Sequence, residues 1–273
     1  MTPPADLTER VSLGRTGIQV SRLGVGAAYG ISREACLEAF DAGINYFFWG
    51  SVRTPGMAHA IRELAPWHRD ELCVVLQSYV RRPSSLSQSI RKGIDTLRLE
   101  NADILLLGWH EKTPTAALLE AVEEERQKGV FRHLAISSHN RPLFKDFLRD
   151  GPYDVFHIRY NAAYCGAEED LFPCLPPGGG PGIVAFTGTC WGRLMNPKRM
   201  PRGQAPMTAG DCYRFVLSNP QVHVAISGPK NDEEMRHALN ALASGPLDTE
   251  EMTRARAIGA HVHELKSLAN WVR

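Results

Sequence analysis

The chain has 273 residues, 43% of them hydrophobic and 22% charged, with a formal net charge of +1. A chain of this make-up can bury a large core, which excludes extended disorder, and its length suits one α/β barrel. The balanced charge gives no footprint for nucleic acid or an anionic membrane, so a small-molecule substrate is the expected partner of a monomer or small homo-oligomer.

The N-terminal "MTPPADLTER" has no apolar stretch of the secretory kind, and no later run reaches the length of a membrane span. Next, "VSLGRTGIQVSRLG" reads as a hairpin over about residues 10–20, two apolar runs around a glycine-containing turn, placed to close the bottom of a barrel. From there apolar or β-branched runs alternate with segments of helical period. A strand over about Ser21 to Ala27 precedes the helix "SREACLEAFDAG". "NYFFWG" is followed by "GMAHAIRELA", and "LCVVLQSY" by "LSQSIRKGIDTLRL". The next pairs are "ADILLLGW" with "PTAALLEAVEEERQKG" and "FRHLAISS" with "RPLFKDFLRD". "YDVFHIRYN" leads into a proline- and glycine-rich crossover with a short helix near "EEDLFP". "GIVAFTG" pairs with "AGDCYRFVLSNP", "VHVAISG" with "DEEMRHALNALA", and a last helix covers about Thr249 to Ala269.

Eight β/α units predict a (β/α)8 barrel spanning residues 1–273 as one domain. The strands are apolar throughout, as in sheets buried on both faces. A doubly wound open sheet is the alternative, but no G-x-G-x-x-G follows an early strand. The six cysteines are scattered without C-x-x-C, which reads as free thiols in a reducing, cytoplasmic setting. No metal site is expected. His110 and Glu111 are adjacent and point apart, and His261 and His263 do not share a helical face.

A barrel active site lies at the C-terminal ends of its strands. That rule selects 48–53, 77–79, 108–111, 137–140, 157–161, 186–191 and 227–231.

Taken together, "LGRTGIQVSRLGVGAAYG", "AFDAGINYF", "ADILLLGW", "YNAAY", "GIVAF" and "RFVLSNPQVHVAISGPKNDEEM" resemble the aldo-keto reductases, in order and over nearly the whole chain. The resemblance implies a (β/α)8 barrel that binds NADP(H) or NAD(H) in extended form and reduces carbonyls by hydride transfer with proton delivery. It also implies a tetrad of aspartate, tyrosine, lysine and histidine, in which the lysine lowers the pKa of the proton-donating tyrosine. Here the tetrad positions fall on Phe48, Arg53, Tyr79 and Gly108, so none of the four is kept.

On the same resemblance, Ser137 and Ser138 stand at the nicotinamide carboxamide, His157 at the strand-six glutamine and Phe186 at the stacking ring. Gly228, Lys230 and Asn231 form the phosphate loop, while Glu234, His237 and Ala238 depart from the pattern that would hold a 2′-phosphate. Either NADP or NAD is therefore carried forward as cofactor. The candidate catalytic set is Tyr79 as acid, Arg53 as polarising cation, and His110 or His157 as substrate-orienting partner. Phe48, Trp49, Trp109 and Trp191 are expected to shape an aromatic substrate pocket. Three functions follow: a nicotinamide-dependent oxidoreductase with a non-standard acid site, a lyase, isomerase or cyclase on the same barrel, or a cofactor-sensing or partner-binding protein without turnover.

Overall fold

The computed structural model describes residues 6–50 and 54–271, and side chains as far as residue 265. Eight parallel strands close into a barrel: β3 (Leu23–Gly26), β4 (Tyr46–Trp49), β5 (Cys73–Ser78), β6 (Ala102–Leu107), β7 (Phe131–Ser138), β8 (Val155–Arg159), β9 (Gly182–Phe186) and β10 (Val224–Ser227). Each strand pairs with the next in the chain, and β10 returns to pair with β3. The expected barrel is observed, and the open-sheet alternative is not.

A hairpin of β1 (Val11–Ser12) and β2 (Gln19–Val20) precedes the barrel and covers its base. Leu13 and Val20 are fully buried there, in the lower interior cluster with Tyr46, Val75, Ile104 and Val155. Arg15 fastens the hairpin from outside, its guanidinium donating to the Tyr153 carbonyl at 2.8 Å.

The helices are α1 (Arg33–Asp41), α2 (Pro55–His68), α3 (Leu86–Leu97), α4 (Ala116–Gln127), α5 (Leu143–Asp150), α6 (Ala167–Asp170), α7 (Ala209–Leu217), α8 (Asp232–Leu242) and α9 (Thr249–Trp271). Their starts are written in the sequence. Ser32, Thr115 and Asn231 each accept a backbone N–H three residues on, and Pro55 opens α2. Thr208 and Asp211 form a reciprocal capping box on α7. Such caps satisfy N–H groups that a helix leaves without partners, each worth about 1 kcal/mol. In α3 the apolar spacing Leu86, Ile90, Gly93, Ile94 and Leu97 buries one face against the barrel.

The alternation of each strand divides its residues between two cores. Even positions of β4 point Tyr46 and Phe48 inward, whereas Phe47 and Trp49 join the layer between strands and helices. This division decides which residues can reach a site at the mouth.

Candidate active site at the barrel mouth

A cavity of about 1080 Å³ opens at the C-terminal ends of the strands and continues outward between α7 and α8. That is about the upper limit for small-molecule sites. Its floor carries Phe48, Gln77, Leu106, Ser137, His157, Phe186 and Ile226. All are inward positions, with Leu106 belonging to the lower interior cluster itself. Tyr29, Tyr79, Trp109, Trp191 and Met195 form the rim. The outer arm is lined by Lys230, by Glu234, His237 and Asn240 of α8 with Ser244 just beyond it, and by Asp211 and Arg214 of α7.

His157 is 1% exposed, and its Nε2 lies 2.8 Å from the hydroxyl of fully buried Tyr46. Burial pushes its pKa down to about 3, so the ring is neutral, and burial pushes the Tyr46 phenol well up. The pair is thus a neutral hydrogen-bonded unit beneath the cavity, with the Phe48 ring 5.6 Å from the imidazole. Ser137 Oγ accepts the Trp109 backbone N–H at 2.8 Å, tying β7 to the loop after β6. Trp109 itself sits in the left-handed region at φ 50° and presents its ring to the rim. His139 lies edge-on between Trp109 and Phe186, 5.6 Å from each ring.

The structure therefore gathers Tyr79, His157, Ser137, Phe186, Gly228, Lys230, Phe48, Trp109 and Trp191 around one cavity. It separates others from it. Trp49 turns outward and is 3% exposed among the helices, a direct result of its odd register beside Phe48, so it does not line the cavity. Ser138 likewise turns away from Ser137's side. Its Oγ accepts the Asn140 N–H at 2.9 Å and closes a turn. Asn231 is spent capping α8, accepting from Glu234 N–H at 2.9 Å.

His110 lies behind the wall, 4% exposed, with its backbone N–H donating to the Ser137 carbonyl at 2.8 Å. Burial, then the nearby Arg81 cation, lowers its pKa to about 4. It is not among the residues that line the cavity, whereas His157 is. Arg53 lies outside the described residues. Arg159, also in a mouth window, stacks its guanidinium 4.4 Å over Tyr164 rather than facing the cavity.

Gln77 and His139 fall within the expected mouth windows but had no role assigned, and Tyr29 and Met195 lie outside those windows. The inward alternation of Cys73, Val75 and Gln77 could have flagged the first. Tyr29 and Met195 come from loops whose path only the folded chain reveals. Among the described residues, no group of three or more His, Cys, Asp or Glu side chains is arranged to hold a metal ion.

A closed eight-stranded parallel barrel, a hairpin under its base and a cleft leading away between the last two barrel helices now define the molecule. The fold is that of the aldo-keto reductases. Similar solved structures are the holo and apo forms of aldo-keto reductase AKR11C1 from Bacillus halodurans. Each has a TM-score of 0.77 and 18% identity, covering 92% of this chain and 96% of the other. At that identity the likeness to AKR11C1 is one of fold. No protein-family model and no curated protein matches the sequence. No helix among the described residues is long and apolar enough to cross a membrane.

Proposed function

We propose that this chain is a nicotinamide-dependent oxidoreductase acting on an aromatic substrate, with NAD(H) rather than NADP(H) as cofactor. The observation that carries the reading is the continuous cavity from Phe186 and Ser137 at the mouth to Asn240 on α8 and Ser244 just beyond that helix. A long cleft with aromatic rings at one end and a mixed charged and polar arm at the other suits an extended dinucleotide.

The residues at the outer arm decide which dinucleotide fits. Helix N-termini attract anions, but both here already hold a carboxylate. Asp211 accepts the Thr208 N–H at 2.9 Å, and Glu234 accepts the Lys230 N–H at 2.9 Å. The first turn of α8 carries Asp232, Glu233 and Glu234 together. Lys230 offers one cation for the pyrophosphate, whereas an added 2′-phosphate would meet Glu234. Phe186 would hold the nicotinamide by stacking, Ser137 by hydrogen bonding, and His237, Asn240 and Ser244 would face the adenosine. Bound there, the nicotinamide supplies or accepts hydride. Tyr79, half-exposed at the rim, is the hydroxyl in position to hand a proton to the substrate oxygen. The neutral His157, fixed by Tyr46, orients what lies above it.

Titration with each cofactor, followed by energy transfer from Trp109 and Trp191 to the reduced nicotinamide, tests this. NADH should bind more tightly than NADPH, and Glu234→Gln should narrow the gap. Absence of binding by both at millimolar concentration sinks the reading. A second reading has one observation in its favour: Phe48 and Gly108 occupy positions where the resemblance expects an aspartate and a histidine. It is a cofactor-sensing protein without turnover, and it predicts NADH binding with no oxidation across a panel of aryl aldehydes and ketones.

A further inference from the structure

Tyr46 and His157 reach each other across the barrel. Their strands, β4 and β8, stand on opposite sides of the closed ring. The Tyr46 hydroxyl and His157 Nε2 meet at 2.8 Å, and neither side chain makes another hydrogen bond or ion pair among the described residues. With so few partners, counting hydrogens fixes the tautomer. Tyr46 is fully buried, and burial keeps its phenol protonated. Its hydrogen has a single acceptor in reach, Nε2, and turning it elsewhere would leave it buried and unpaired, which is costly. Nε2 therefore accepts and carries no proton. Burial also keeps the imidazole neutral, so its proton is on Nδ1. Cations near the mouth only reinforce that neutrality. Arg81 lies on the Gly108 and Trp109 carbonyls at 2.6 and 2.7 Å, and residues 51–53, outside the described ones, are Ser51, Val52 and Arg53, with no carboxylate among them.

Nδ1 is also the nitrogen that opens on the cavity. The imidazole lines the cavity floor, although almost all of it is covered. Nδ1 has no protein partner, yet it is not among the polar atoms sealed inside the fold without one, as His110 Nε2 is. The little of the ring that a ligand can reach therefore includes the Nδ1–H. Because burial keeps both members of the pair from ionising, the pair offers a hydrogen bond of fixed direction and gives up no proton. A ligand atom with a lone pair completes it. An apolar atom in the same place strips water from the N–H and leaves it unpaired.

We propose that Tyr46 is a positioning residue: through Nε2 it holds His157 as an Nδ1–H donor, and the mouth selects a ligand that sets a hydrogen-bond acceptor on that donor. This rests on the preceding reading only in taking the barrel mouth as the ligand site.

The test uses the full chain without nucleotide. Long-range proton–nitrogen correlation spectra of the imidazole rings at neutral pH show which nitrogen carries the proton, with His157 assigned by the loss of its signals in His157→Phe or His157→Gln. The proton should be on Nδ1, and Tyr46→Phe should move it at least in part to Nε2. Isothermal titration then compares 2-acetylnaphthalene with 2-isopropenylnaphthalene, which has a methylene in place of the oxygen. The ketone should bind about fivefold more tightly, the scale of one net hydrogen bond. His157→Phe should erase that preference, and Tyr46→Phe should reduce it to about twofold or less. Thermal melts check that the variants fold, and if Tyr46→Phe does not, the wild-type spectrum and titration decide alone. The proposal is overturned by a wild-type ring protonated on Nε2, by equal binding of the two probes or of neither, by a preference that survives in His157→Phe, or by an unchanged tautomer in folded Tyr46→Phe. Since no nucleotide is added, failure here leaves the NADH titration standing, and the reverse holds too.

Discussion

At the scale of single residues, the barrel interior keeps histidines where they cannot charge. His157 titrates near 6.5 in an unfolded chain, but burial holds it at about 3 in the fold. Between those values the unfolded chain binds a proton that the folded one refuses. Stability is therefore unaffected above about pH 6.5 and falls as pH drops from there towards 3, by up to about 1.4 kcal/mol per pH unit for this residue. His110 and His223, each lowered to about 4 mainly by burial, pull in the same direction over a slightly narrower window. Urea unfolding at pH 7 and pH 5 should thus show a marked loss at the lower value. His157→Gln keeps an acceptor for Tyr46 but removes the titration, and should reduce that loss by about 1–2 kcal/mol over the interval. Equal losses in the two proteins would mean that His157 is not held neutral.

At the scale of elements, the strands were legible because each is a short apolar run bounded by turn residues, and a closed parallel barrel buries such runs on both faces. Helix starts were legible through Ser32, Thr115, Thr208 and Asn231, whose side chains do locally what a cap must do. Inward and outward sides were not separated at the strand ends, because aromatic residues stand on both. Phe48 and Trp49 look alike in sequence, and only register sends one to the cavity and the other to the helices. Gln77 fell in the expected mouth window, but its surroundings were not legible, because Gly108 is distant in sequence and meets it only across paired strands.

The last helix shows the same dependence on partners. α9 buries Ala255, Ile258, Gly259 and Val262, a single stripe. Gly259 lies directly on the Ala162 carbonyl, where an added Cβ would collide with it. Around this contact His263 Nδ1 donates to the Ala163 carbonyl at 2.8 Å, and Arg256 meets Glu168 at 3.0 Å. Gly259→Ala forces helix and loop apart and should cost about 1–3 kcal/mol, the usual range for overpacking. Hydrogen exchange should localise the damage, with α9 amides exchanging faster and those of β4 to β7 unchanged. Uniform acceleration would show instead that α9 is integral to the barrel's cooperative unit.

At the scale of the whole molecule, the two ends of the barrel answer to different demands. The base is sealed by the hairpin, whose Leu13 is fully buried against the lower interior cluster. The mouth is open, and its aromatic rim remains half-exposed. Residues at the base should therefore govern stability and those at the mouth binding, as barrel architecture leads one to expect. Leu13→Ala removes a buried isobutyl group from a closed layer and should cost about 2–5 kcal/mol in urea unfolding. The affinity for 2-acetylnaphthalene should remain within about twofold, since a difference that small is under 0.5 kcal/mol. Trp109→Ala should do the opposite, losing affinity with little change in the unfolding midpoint. Because the two positions share no partner, the Leu13→Ala, Trp109→Ala double variant should show the sum of the single effects to within about 0.3–0.5 kcal/mol in both measurements. A larger departure would mean that strain at the base reaches the mouth. The route for it is Tyr46, which belongs to the lower cluster and holds His157 at the cavity floor through its hydroxyl. Tyr46→Phe would then remove the coupling while leaving the ring in place, and the double variant made in that background should return to additivity.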